Sequence, residues 1–99
     1  MIIVHGSVTA VEGRFDEALA LSQTHVARSR LEPGCIAHAV HIDAENPCRL
    51  VFTEQWSDMQ ALQVHFKVPE SRAFGKALAA LAAEPPTIAL FDSTEIPFK

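Results

Sequence analysis

Cys35-Ile-Ala-His-Ala-Val-His-Ile-Asp43, then Ala44-Glu-Asn-Pro-Cys48, then Arg49-Leu-Val-Phe-Thr-Glu-Gln-Trp56: this stretch decides the fold. On each side of a turn-forming segment the residues alternate with a period of two, which marks a β-hairpin. Ile36, His38, Val40 and Ile42 form the larger set of the first strand, and Leu50, Phe52, Glu54 and Trp56 that of the second. The two sets share a face only if the loop holds an odd number of residues, such as Ala44 to Cys48, because a one-residue slip sends every side chain to the other face. That register sets His38 opposite Glu54; an even loop would set it opposite Thr53. The odd loop is the one expected here.

Upstream of the hairpin, Met1 to Ala10 alternates as a strand, with Ile2, Val4, Gly6 and Val8 against Ile3, His5, Ser7 and Thr9. After Gly13, the residues Phe15, Ala18, Leu19, Ser22, Val26 and Ser29 recur at three- and four-residue steps, predicting a helix from about Arg14 to Arg30. Glu32-Pro33-Gly34 stops it. Downstream, Ser57-Asp-Met-Gln60 reads as a capping box that opens a second helix, with Met59, Leu62 and Phe66 on its buried face and His65 beside them. Val68-Pro69 interrupts that run before a third helix carrying Phe74, Ala77, Leu78 and Leu81, and Glu84-Pro-Pro86 precedes a last strand from Thr87 to Thr94.

Strand, helix, strand, strand, helix pair, strand is the order of an α+β, ferredoxin-like split βαβ fold. Helices then cover one sheet face. The other carries Ile3, Cys35, Ala37, Ala39, Val51 and Thr53, plus Ala89 or Phe91, and is too apolar to stand in water. A second copy packed sheet to sheet would bury it, so a homodimer is expected.

The chain of 99 residues is read as one domain, 1–99. Eight Lys and Arg against 12 Asp and Glu give a formal charge of -4 with no basic run, which argues against nucleic acid as a partner. No apolar run approaches the ~20 residues of a membrane helix. Met1-Ile-Ile-Val-His-Gly6 shows no export signal, so a cytoplasmic location is expected. Cys35 and Cys48 would lie far apart along the hairpin, too far for an internal disulfide. Gly-rich phosphate loops, the Gly-x-Ser-x-Gly elbow and His-Glu-x-x-His are all missing. His38 and His41, three apart on a strand, point to opposite faces and cannot share an ion, so neither metal nor cofactor is expected.

Glu32-Pro-Gly-Cys35, Glu54-Gln-Trp56 followed by Ser57 and Asp58, His65 nine positions after Trp56, Pro69, and Arg72-Ala-Phe74 together resemble the antibiotic biosynthesis monooxygenase superfamily, which includes quinol monooxygenases. The resemblance runs from Gly13 to the last strand and implies a dimeric α+β barrel. Haem-degrading members carry Asn, Trp and His where this chain has Gly6, His65 and Gly75, so haem degradation is not implied. Members often have a His where this chain has Glu70.

Among the site candidates, Trp56 stacks on a planar aromatic substrate or is simply a large core residue. His65 is either a base for a phenol near neutral pH or a histidine capping the core. His38, in apolar company, needs a hydrogen-bond partner, and Glu54 across the hairpin would supply it and orient the ring. His5, His25 and His41 read as structural or solvent-facing. The resemblance implies a cofactor-free monooxygenase acting on a small electron-rich aromatic with O₂. His65 or His38 would be the base, Glu54 the orienting carboxylate, and Trp56, Phe52 and Phe74 the stacking walls. An isomerase or tautomerase using the same proton-transfer groups, and a non-catalytic ligand-binding module, are the alternatives.

Overall fold

A computed structural model describes residues 1–99. The elements follow in the order β1 (Ile2–Thr9), α1 (Phe15–Ser29), β2 (Cys35–Asp43), β3 (Asn46–Trp56), α2 (Met59–Lys67), α3 (Pro69–Ala80) and β4 (Thr87–Asp92). One four-stranded antiparallel sheet has the order β2-β3-β1-β4, the ferredoxin-like arrangement expected. None of the helices is long and apolar enough to cross a membrane.

The hairpin adopts the odd register, with His38 opposite Glu54 and Val40 opposite Phe52. Its turn is tighter than five residues. Asp43 pairs with Asn46, and a bulge between Ile42 and Asp43 absorbs the extra residues, so β3 starts at Asn46 rather than Arg49. Asp43 accepts from the Glu45 N–H and from Arg49, which closes the turn. A second irregularity, between Cys35 and Ala37, puts Cys35 opposite Trp56. Cys35 therefore packs on the helix-side cluster of Ile2, Val4, Trp56 and Leu62, not on the open face where alternation had placed it. Both cysteines are free.

One capping detail, at α2, differs from the sequence reading. α1 begins at Phe15 without a side-chain cap, and α2 is capped by Asp58, which accepts from the Ala61 N–H at 2.8 Å, rather than by Ser57. Pro69 sits at the first turn of α3, where its missing N–H costs nothing.

The main core lies between α1, α3 and the sheet, around Val8, Ala18, Val26, Leu50, Phe52, Leu78 and Leu81. Ser22 and Ser29, both buried in α1, satisfy their hydroxyls on the carbonyls of Ala18 and His25. No helix covers β4, whose Ile88 and Leu90 stay exposed although they point to the helix side. On the opposite face both Ala89 and Phe91 are present, beside His5 and Ile3. Ser7 and Thr87 share a hydroxyl hydrogen bond there, and His41 bonds Thr53, so this face is more polar than the sequence reading made it.

Candidate functional site

Three imidazoles from three different elements meet between the helices and the sheet. His25 comes from α1, His38 from β2 and His65 from α2; all are buried, and one ring nitrogen from each lies within 4.8 Å of the others. Ring centroids are 5.3 Å apart for His25 with His38, 5.3 Å for His25 with His65 and 5.8 Å for His38 with His65.

His65 owes its place to α2, where it lies three residues after the buried Leu62 and so on the same helical face. Its Nδ1 is 2.8 Å from Oε1 of Glu32, in the loop between α1 and β2. A carboxylate only accepts, so Nδ1 carries the proton and Nε2 keeps a free lone pair. Gly34, two residues on, has φ of 84° and brings this loop against α2: Ser57 donates its N–H to the Gly34 carbonyl at 2.8 Å.

His25 has the opposite wiring. Nη2 of Arg28 lies 2.7 Å from its Nδ1, and the same nitrogen reaches Ser71 Oγ at 3.0 Å. The guanidinium cannot accept, so Nδ1 accepts and the ring's single proton sits on Nε2. Burial, followed by the charges of His38, His65 and Arg28, lowers the pKa of His25 from 6.5 to about 3, so the ring is neutral near pH 7. Phe74 stacks on it at 3.9 Å and 6°.

His38 completes the triangle. Its Nε2 is 3.2 Å from Oε1 of Glu54, within ion-pair range, but the angles are not those of a hydrogen bond, and neither ring nitrogen has a partner of that geometry. The same carboxylate oxygen accepts the indole N–H of Trp56 at 2.9 Å. Burial pushes the Glu54 carboxyl up; contact with His38, the Trp56 hydrogen bond and the nearby His65 outweigh it and hold the group below the usual carboxylate range. Cys35 goes the other way: burial, then the charges of Glu54 and Glu32, raises its thiol above 9.0, so it offers no thiolate.

A groove of about 510 Å³ opens between α1 and α3 above this cluster, lined by Ala20, Leu21, Ala73 and Ala77, with His25, Arg28 and Phe74 in its wall. Of the side chains named from sequence, His38, Glu54 and His65 come together, and Phe74 lines the groove. Phe52 lies behind Phe74, edge-on at 6.1 Å, within the main core. Trp56 is fully buried, with His65 against its ring at 4.6 Å, so neither face of the indole is open. His5 and His41 are exposed. Sequence reasoning missed His25, Glu32 and Arg28. The signal for His25 was present: it falls three residues after Ser22 and four before Ser29, within the stripe that defined the buried face of α1.

The model of the antibiotic biosynthesis monooxygenase family matches residues 1–77. The chain belongs to this family. A solved antibiotic biosynthesis monooxygenase superposes with a TM-score of 0.88 at 26% identity, over 96% of this chain and all of that one. A candidate member from Deinococcus radiodurans superposes with a TM-score of 0.94 over 100% of this chain and 98% of its own, and at 24% identity this likeness is one of fold. An uncharacterized protein of Synechocystis is 33% identical over 94 residues; the match takes in 95% of this chain and 64% of that protein's length. Members of the family are typically dimeric.

Proposed function

We propose that this family member is a monooxygenase that oxidises a small electron-rich aromatic, a phenol or hydroquinone, with O₂ and without an organic cofactor. The observation that carries the reading is the Glu32–His65 pair: a carboxylate fixes the proton on Nδ1 and leaves Nε2 with a free lone pair, on a ring packed beside Trp56 and Phe66. That is the wiring of a general base.

The steps follow from this wiring. Nε2 of His65 takes the phenolic proton, and the resulting anion, held out of water, passes one electron to O₂. The aryloxyl radical and superoxide combine to form a C–O bond at a ring carbon ortho or para to the oxygen. His65 returns its proton to the distal peroxide oxygen, and loss of the hydrogen on that carbon breaks the O–O bond, so that this oxygen leaves as water and a quinone remains, with one atom of O₂ in each product. His25, neutral and with its proton on Nε2, donates to the developing oxyanion, and Glu54 holds His38 and Trp56 in position. A substrate in the groove meets His25 and Phe74 first, so it reaches His65 by parting that stack. The reading extends to a homodimer formed through the open sheet face, as is typical of the family.

Oxygen uptake with a panel of hydroquinones and naphthols tests the reading. Turnover coupled to O₂ and lost in His65→Ala supports it. Proton exchange or isomerisation of a substrate without O₂ consumption would favour the isomerase instead.

A further inference from the structure

Four buried side-chain polar atoms lack a hydrogen-bond partner: Nδ1 and Nε2 of His38, Oε2 of Glu32 and Nε of Arg28. All four belong to the histidine cluster or to the two residues wired to it. Of these, the His38 nitrogens lie in the cluster itself; a buried polar atom left unpaired costs about 1–3 kcal/mol, and three imidazoles that bring ring nitrogens together there offer a ligand site. We propose that His25, His38 and His65 form a binding site for one divalent first-row transition ion of the zinc type.

The donor chemistry fits. Three neutral imidazoles suit zinc, cobalt and nickel, and a three-histidine set leaves a fourth position open. His65 already has the support that metal-bound histidines have, its Nδ1–H held by a carboxylate with Nε2 free. Glu54 and Glu32 bring two negative charges to the rim of the cluster, which offset the two positive charges of the ion. At Zn–N distances of about 2.0–2.1 Å, tetrahedral ligand nitrogens stand roughly 3.3 Å apart. The present separations are within 4.8 Å, so binding the ion requires the rings to draw closer together.

Arg28 opposes the third ligand. Its bond to Nδ1 of His25 leaves the ring proton on Nε2, so the ion binds His25 only as the guanidinium lets go of Nδ1 and keeps Ser71. The site is therefore weaker than a site wired throughout like His65, and removing Arg28 strengthens it. The proposal rests on the cluster and not on the oxygenase reading, although the two interact: an ion on Nε2 of His65 takes the lone pair that would accept the substrate proton. Zinc-loaded protein then turns over no phenol, while a protein that binds no zinc leaves the oxygenase reading untouched.

Equilibrium dialysis of the chelator-stripped, tag-free protein against Zn²⁺, with Co²⁺ absorption as a reporter of four-coordinate geometry, tests the site. One ion per chain is expected. It is lost in His65→Ala and His38→Ala and unchanged in His41→Ala and Cys48→Ser. Glu32→Gln, which keeps bulk and polarity should the histidine variants fail to fold, weakens binding by about 10–100-fold, the usual effect of losing a carboxylate behind a ligand histidine. Arg28→Met tightens it. Less than one ion per folded wild-type chain, binding that survives His65→Ala, or binding lost in His41→Ala overturns the proposal.

Discussion

Gly34→Ala tests how the loop carrying Glu32 is held against α2. The backbone there has φ of 84°, a region that costs an L-residue about 1–2 kcal/mol. A Cβ at Gly34 would also stand 2.5 Å from the Ala61 Cβ and 2.8 Å from the Ser57 Oγ. Overpacking of that kind costs about 1–3 kcal/mol, so the whole substitution costs about 2–5 kcal/mol. Gly13 supplies the control. Its φ is 83°, but a Cβ there would meet nothing within 4 Å, so Gly13→Ala costs only the backbone part, about 1–2 kcal/mol. Urea unfolding at fixed protein concentration reads both. Ala61→Gly on its own costs about 1 kcal/mol as a helix glycine, yet combined with Gly34→Ala it should recover the contact part, giving a favourable coupling of about 1–3 kcal/mol. Because Glu32 and His65 face each other across the same seam, Gly34→Ala should also reduce turnover while Gly13→Ala does not. Equal costs at the two glycines, or no coupling with Ala61→Gly, would refute this account of the seam.

Three further outcomes follow from the cluster and the sheet. The folded-state pKa of His25 lies below its unfolded value, so the unfolded chain takes the proton first; stability is whole above about pH 6.5 and falls as pH drops toward 3, at about 1.4 kcal/mol per pH unit. His25→Gln keeps an acceptor for Arg28 but does not titrate, and in chelator it should lose that slope between pH 6.5 and the onset of carboxylate protonation; an unchanged slope would reject the assignment. Ala39→Lys or Val51→Lys, each placing a charge on the open sheet face, should convert the dimer to monomer in sedimentation, and a dimer unaffected by both would place the interface elsewhere. Phe74→Ala removes the ring stacked on His25, so substrate affinity should fall while the pH dependence of turnover stays as it was; a changed pH profile at unchanged KM would mean that Phe74 acts on the imidazole instead.

Much of the fold was legible because its signals are local. The period of two marked both strands of the hairpin, and the pairing of His38 with Glu54 is as expected, although it is reached through a two-residue turn and a bulge rather than an odd loop. The bulges were not legible: an extra residue in one strand leaves no mark in an alternating pattern until the partner strand is laid beside it. That is why Cys35 moved to the helix side and why β3 began three residues early. The cluster was half legible. His38, Glu54 and His65 could be named from the faces they share with apolar neighbours, whereas Glu32 read as part of a helix stop and of a family motif, with no chemical role attached. His25, His38 and His65 lie on three elements, so no spacing motif joins them, and the expectation of a chain without metal rested on spacings along the chain: His38 with His41, and the missing metal-binding motifs. Trp56 was named as a substrate wall from its side of β3, but the closure of α2 over that strand buries it completely.

In the proposed reaction, Nε2 of His65, aligned by Glu32, takes the proton that starts an O₂-dependent oxidation. Oxygen uptake and quinone formation, measured together on the metal-free protein and on His65→Ala, test it most directly. One O₂ consumed per quinone formed is expected, with turnover lower by about 10²–10⁴ in His65→Ala at unchanged secondary structure and dimer content. Turnover that His65→Ala leaves intact, or no O₂ consumption with any phenol or hydroquinone, would contradict it.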